Sequence, residues 1–160
     1  MDSLTLIRNL HLQPHPEGGF YRETYRSGQL VSINGESNKN ASTAIFFLLE
    51  DDEKSHFHRI PSDELWFFHQ GTAIEIHAII NGELSSFLLG NNLEMGEVPQ
   101  AVIPADTWFA AQIKNSKGYA LVSCTVAPGF EFADFQLAKK EELMQKYPNL
   151  ERIITEFTLY

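Results

Sequence analysis

The sequence contains one cysteine, Cys124, among its 160 residues. A single cysteine cannot form a disulfide within the chain, and chains without disulfides are typical of reducing compartments. The first residues, MDSLTLIRNLHL, also lack the cationic region followed by an apolar run that marks a signal peptide. We therefore expect a cytoplasmic protein.

Long apolar runs and basic clusters are absent as well. Uninterrupted apolar stretches such as residues 44–49 are far shorter than the roughly 20 residues that cross a bilayer. The chain carries 12 Lys and Arg against 21 Asp and Glu, a formal net charge of −9. Nucleic-acid binding needs cationic side chains that neutralise phosphates. We expect neither a membrane nor a nucleic acid as a partner.

The remaining composition is that of a globular protein, with 43% hydrophobic and 21% charged residues. A chain of this length usually forms one domain, and no repeat, low-complexity tract or linker divides it. We therefore predict a single domain over residues 1–160. Residues 32–42, SINGESNKNAS, have the composition of a surface loop.

The middle of the chain is a series of short β-branched and aromatic runs separated by turn residues. Asn81-Gly82 lies between two such runs and is typical of a type I′ hairpin turn. Helix signals occur only near the ends: residues 4–10, with Ser3 as the expected cap, and residues 137–147, which end before Pro148. The pattern predicts an all-β sandwich or barrel with short terminal helices.

Ionisable and aromatic residues are most concentrated in residues 55–71, SHFHRIPSDELWFFHQG. Because side chains alternate between the faces of a strand, His56 and His58 are expected on the same face. On the following strand, the side chains that share one face are those of Glu64, Trp66 and Phe68. If the two strands pair as a hairpin, both histidines and Glu64 converge.

This spacing resembles the first motif of the cupin superfamily, in which His56, His58, Glu64 and Gly71 occupy the motif positions. Five residues separate His58 from Glu64, where three or four are usual. The second motif would be residues 96–109, with Phe109 at the place of the fourth metal-binding histidine. The resemblance therefore implies an incomplete metal site.

Over nearly its whole length the chain resembles one family of small cupins, cupin 5. The matching strings are HPEGGFYRETYRS, TAIFFLL, HRIPSDELW, PQAVIPADTW and VSCTVAPGFEFADF. The resemblance implies a double-stranded β-helix, or jelly roll, that forms a homodimer and is similar to deoxysugar epimerases. In this family a histidine is typical at the position of His58 but not at that of His56. A fold does not by itself determine a reaction.

We interpret the chain as a small-molecule-binding cupin with an aromatic-lined pocket, and as a candidate epimerase or isomerase that moves protons on a sugar-like substrate. His58 is the expected base, Glu64 the group that orients it, and Tyr119 an acid on the far side. No metal ligand or cofactor is assigned. The expected substrate-binding residues are His56, Trp66, Phe68, Gln100 and Trp108.

Two alternatives remain open. One is a metal-dependent dioxygenase or isomerase that uses His56, His58 and Glu64 as a facial triad of ligands. The other is a non-catalytic binding or storage module. Elemental analysis would identify the first, and turnover of a bound ligand would exclude the second. Cys124 is interpreted as a small buried hydrophobe, and residues 16–19 (PEGG) as a plain turn, or as a lid or dimer contact at the barrel mouth.

Overall fold

The computed structural model describes residues 2–33, 35 and 37–160. In these residues the larger antiparallel sheet has six strands, in the spatial order β1 (Gln13–Pro14), β2 (Phe20–Arg26), β5 (Thr43–Glu50), β12 (Tyr119–Ala127), β7 (Asp63–Gly71) and β10 (Gln100–Ile103). The smaller antiparallel sheet has five, in the order β13 (Gln136–Leu137), β6 (Lys54–Arg59), β11 (Trp108–Ile113), β8 (Ile74–Ile80) and β9 (Glu83–Leu89). A separate hairpin pairs β3 (Leu30–Ile33) with β4 (Ser37–Asn40).

Helices lie near the two ends of the chain, at α1 (Ser3–Asn9), α2 (Lys140–Lys146) and α3 (Glu151–Glu156). The prediction of a mainly β protein with terminal helices is confirmed. The β8–β9 turn has the expected geometry, since Asn81 and Gly82 have φ values of 53° and 82°. None of the helices in the described residues is long and apolar enough to cross a membrane.

The helix boundaries differ from those expected. Asp2, rather than Ser3, caps α1, because its carboxylate accepts a hydrogen bond from the Thr5 backbone N–H at 2.8 Å. The second helix begins at Lys140 because Leu137 is already paired with β6. The sequence analysis did not predict α3, which follows a short 3₁₀ turn that begins at Pro148.

The expected loop at residues 32–42 is largely a β-hairpin, in which Ser32 pairs with Asn38. Residues 34 and 36 of this segment lie outside the described residues. The prediction was wrong because this ribbon does not pack on the core. Residues 37–40 (SNKN) therefore lack the alternating apolar residues by which a strand is recognised.

The main hydrophobic core lies between the two sheets and receives side chains from both. Trp66 on β7, which is 1% exposed, packs edge-on against Phe47 and against Phe109 of the opposite sheet, at ring-centroid distances of 5.5 and 6.0 Å. The terminal helices pack on the outside of the two sheets: Leu6 of α1 lies near Leu48, and Phe157, which follows α3, packs against Phe57. Each sheet is therefore covered on part of its outer face.

Replacement of Trp66 should test how much of the fold depends on this contact between sheets. Trp66→Ala should lower the free energy of unfolding by about 3–5 kcal/mol, because it removes a buried indole and leaves a cavity. The matched change Val102→Ala, at a residue 56% exposed on β10, should alter it by less than about 0.5 kcal/mol. Denaturant unfolding measures both, and equal effects would contradict a packing role for Trp66.

The homodimer implied by family resemblance stays a prediction. The expected interface uses residues 43–49 and 20–27, which lie side by side as β5 and β2, and it should exceed about 1,000 Å² in total. Sedimentation equilibrium at micromolar concentration should give twice the chain mass of 18.2 kDa. A mass near that of one chain would contradict the prediction.

Candidate functional site

A cavity of about 140 Å³ lies inside the barrel and opens at one end. Its volume is similar to the roughly 150 Å³ of engineered cavities that hold one benzene molecule. Buried residues form its inner end and include Glu17, His58, Glu64, Trp66 and Cys124. The rim includes the more exposed residues Glu23, Arg26, Glu131 and Phe132. The cavity can therefore take a small ligand in contact with buried ionisable groups.

His58 is held in one tautomer by its neighbour in the chain. Its Nδ1 lies 2.8 Å from the backbone carbonyl oxygen of His56. A carbonyl only accepts hydrogen bonds, so Nδ1 carries a proton. The other ring nitrogen, Nε2, faces Oε2 of Glu17 at 3.2 Å. His58 thus directs a single titratable nitrogen at a buried carboxyl.

The Glu17 carboxyl and the His58 imidazole share one proton. A neutral imidazole protonated at Nδ1 and a carboxylate would place two acceptors against each other, so their contact requires a proton on one of them. Burial raises the pKa of Glu17 and lowers the pKa of His58. Both shifts favour a carboxylic acid that donates to a neutral imidazole. The pair has no net charge, whichever partner holds the proton.

Two further groups lie against the Glu17 carboxyl. The buried Ser55 hydroxyl donates to Oε1 at 2.7 Å. The Nδ1 atom of His15 lies 3.4 Å from Oε2 and accepts a hydrogen bond from the Glu17 backbone N–H at 3.2 Å. Burial lowers the pKa of His15, which favours its neutral form. Glu17 is therefore placed between two imidazoles.

Glu64 lies at the inner end of the same cavity with a different set of contacts. Its Oε1 accepts a hydrogen bond from the Trp66 indole N–H at 2.8 Å, and the buried Cys124 thiol lies near the carboxyl. Burial raises the pKa of Glu64 to about 7, opposed by the nearby His58. Burial also raises the pKa of Cys124 well above its usual value, so the thiol stays protonated. Glu64 can gain or lose a proton near neutral pH.

A β-bulge in β6 separates the two histidines that alternation had placed together. Across the β6–β11 pair, Phe109 faces His58 and Ala111 faces Ser55, so three steps along β6 match two along β11. Ser55 and His58 therefore both point to the interior. His56 instead turns to the backbone of Glu17, whose carbonyl oxygen lies 2.7 Å from its Nδ1.

The structure brings three of the sequence-predicted site residues together at the cavity: His58, Glu64 and Trp66. The others lie elsewhere. Phe68 packs on the main core, Trp108 lies under the Arg59 guanidinium among the C-terminal helices, and Tyr119 packs beside α1. Gln100 is exposed on the edge strand β10, and His56 contacts Glu17 from outside the cavity.

Sequence analysis missed Glu17, which had been interpreted as part of a turn. The turn is pressed against β6: a side chain on Gly18, whose φ is 111°, would place its Cβ 2.0 Å from the Lys54 carbonyl oxygen. The Glu17 carbonyl accepts a hydrogen bond from the His56 backbone N–H at 2.8 Å. The only signal in the sequence was an acid followed by two glycines, which permit such a close approach.

The cavity residues do not fit the metal-binding set of the cupin motifs. Across the described part of the chain, no group of three or more His, Cys, Asp or Glu side chains is arranged to hold a metal ion. The Phe109 ring lies 4.2 Å from that of His58, where a fourth ligand would be needed, and His56 turns away to Glu17. The proposed chemistry below therefore uses protein side chains only.

The two antiparallel sheets around a buried polar cavity define a double-stranded β-helix protein of the cupin superfamily. A family model described as "Cupin superfamily (DUF985)" matches residues 4–138, and the chain belongs to this family, cupin 5. The fold and family expected from the sequence are both confirmed.

Several proteins are similar to this chain in sequence or in structure. Uncharacterized protein YML079W of Saccharomyces cerevisiae is 30% identical over 151 residues, which cover 86% of this chain and 75% of the yeast protein. A hypothetical protein from Leishmania major is 32% identical, with a TM-score of 0.94 and full coverage of both chains. Protein SO0799 from Shewanella oneidensis is 37% identical, with a TM-score of 0.90 and coverage of 99% and 98%.

The raised pKa of Glu64 predicts a dependence of stability on pH. A carboxyl whose pKa rises on folding from 4.5 to about 7 binds more protons in the folded than in the unfolded state between these values. Stability contributed by this group is therefore lost as the pH rises through that range, by about 3 kcal/mol in total. Relative to Glu64→Gln, the wild type should lose this amount between pH 4.5 and pH 8. Urea unfolding at both pH values measures it, and a difference that does not change with pH would contradict the assignment.

Proposed function

We propose that this protein binds a small polar organic molecule in the barrel cavity and transfers protons on it, as an isomerase or epimerase does. The observation that carries the proposal is the 3.2 Å contact between Glu17 Oε2 and His58 Nε2 at the buried end of a ligand-sized cavity. Proton-transfer enzymes use groups whose pKa values are shifted by burial and by neighbouring charges. The cupin fold is compatible with this function, since cupins include isomerases, epimerases and oxygenases.

The geometry supports separate roles for the two carboxyls. Glu64, with a pKa of about 7, is partly ionised near neutral pH, so its carboxylate can remove a proton from a carbon next to a carbonyl. The neutral Glu17–His58 pair can supply a proton to the substrate from another side. The His58 imidazole passes this proton to the substrate. One proton leaves the substrate and one returns, so the charge of the substrate is unchanged. In this arrangement Glu17, rather than Glu64, orients His58.

The family resemblance implies a sugar-like substrate, so sugar derivatives are the first class of compounds to screen. A non-catalytic binding module would use the same cavity without turnover. The two functions differ in one measurable property, which is whether a carbon-bound hydrogen of the ligand exchanges with solvent.

The experiment has two stages. Native mass spectrometry of untagged protein should first identify small molecules that copurify with it. The ligand is then incubated with the protein in D₂O, and NMR follows the loss of its carbon-bound protons. We expect exchange with wild type and a decrease of about 10²–10⁴-fold with Glu17→Gln or His58→Gln, the usual contribution of a general acid or base.

A matched control is Glu94→Gln, because Glu94 is an exposed acid outside the cavity. This variant should exchange the ligand at the wild-type rate. If the ligand binds to wild type but none of its carbon-bound protons exchanges, the protein is a binding module. If both cavity variants exchange the ligand as fast as wild type, Glu17 and His58 do not carry the chemistry.

A further inference from the structure

The only guanidinium that lines the cavity, among the residues described, has no hydrogen-bond donor left for a ligand. Both Arg26 amino groups and its Nε bind protein groups: the Glu23 carboxylate takes two bonds at 2.8 and 3.0 Å, and Glu131 one at 2.8 Å. Asn40 and the Phe130 carbonyl accept the other two, at 2.9 Å each. A guanidinium has five N–H donors, and all five are engaged. Arg26 therefore offers no site for a phosphate or a carboxylate.

The charge at the inner end of the cavity is set by Glu64. Glu17 and His58 form a neutral pair, so they add no net charge. Among the described residues, no Lys or Arg forms an ion pair with Glu64, whose contacts are the Trp66 indole and the Cys124 thiol. Glu64 is only 8% exposed and lines the cavity. An ionised Glu64 is thus a buried negative charge that no described Lys or Arg neutralises, with His58 as its nearest basic neighbour.

The walls of the cavity are rich in aromatic rings. Those that line it are Tyr21, Phe47, Trp66, Phe130, Phe132 and Phe135. The face of an aromatic ring carries negative potential and attracts cations, and sets of such rings bind ammonium groups in other proteins. Aromatic walls around an unpaired buried carboxylate favour a positive ligand over a neutral one, and a neutral ligand over an anion.

We propose that the ligand of this cavity is a small organic cation, an amine or quaternary ammonium, whose charged nitrogen lies against Glu64 and the surrounding rings. This inference rests on the proposed function for the location of the ligand, but not on proton transfer. The cavity volume of about 140 Å³ admits a cationic group of about the size of benzene. Larger parts of a ligand would extend past the rim.

Binding of such a cation should depend on pH with a defined sign. The cation binds the carboxylate form of Glu64, so affinity should rise as the pH rises through the pKa of about 7 and should level off above it. The groups that face Glu64 are His58, Glu17 and the Cys124 thiol, and the Glu17–His58 pair adds no net charge while it holds one proton. Affinity should increase about tenfold from pH 6 to pH 8.

Isothermal titration calorimetry with three probes of similar size tests the inference. Choline carries a positive charge, 3,3-dimethyl-1-butanol is its uncharged isostere, and 3,3-dimethylbutyrate is an anion of the same shape. At pH 8 we expect choline to bind about tenfold or more tightly than the alcohol, and the butyrate to bind most weakly. Glu64→Gln should lower choline affinity to that of the alcohol, whereas Glu94→Gln should leave it unchanged.

Equal affinities for choline and the alcohol, tighter binding of the butyrate, or binding of none of the three would overturn the cationic ligand. The deuterium-exchange experiment does not depend on any of these results. The cationic-ligand proposal and the proton-transfer proposal can therefore fail separately. If Glu64→Gln does not fold, the role of Glu64 is tested instead by the pH dependence of choline binding to the wild-type protein. A choline affinity that is constant from pH 6 to pH 8 would then overturn the role of Glu64.

Discussion

The buried contact between the Glu17 carboxyl and the His58 imidazole places the strongest constraint on this structure. A polar pair in a barrel interior is stable only if each of its atoms has a partner, because an unsatisfied buried group is costly. The partners are consecutive residues of β6: the Ser55 hydroxyl binds the carboxyl, and the His56 carbonyl binds the imidazole. The bulge in β6 supplies both of them. The backbone geometry of β6, the orientation of the Ser55 and His58 side chains and the protonation of the Glu17–His58 pair therefore depend on one another.

Much of the fold was predictable because it depends on local patterns. Strand alternation and the Asn81-Gly82 turn identified strands, but not the sheets that they form. The hairpin considered for the strands of His58 and Glu64 does not form, because β6 and β7 lie in different sheets. At the site, His58, Glu64 and Trp66 were also found, since they follow the same alternation. His56 was misplaced because a bulge adds one residue to a strand without leaving a mark in the apolar pattern. The burial of Glu17 depends on a contact between a turn and a distant strand, which no local window of sequence can report.

The rim of the cavity joins distant segments through one cation. Arg26 on β2 binds Asn40 on β4 and reaches Phe130 and Glu131, more than a hundred residues further along the chain. The positively charged guanidinium binds two carboxylates and the Phe130 carbonyl, and these bonds hold residues 130 and 131 at the cavity rim. The same side chain therefore neutralises acidic charge at the rim and ties distant segments of the chain together there.

The close approach of Gly18 to Lys54 limits how this site can be moved to another protein. The Glu17 carboxyl reaches His58 only when the turn lies flat on the strand, and any side chain at position 18 would lift it. A protein engineer who grafts the acid and the imidazole alone onto a different barrel would transfer two residues without the geometry that pairs them. The transferable unit is larger: the two-glycine turn and the bulged strand must be copied together.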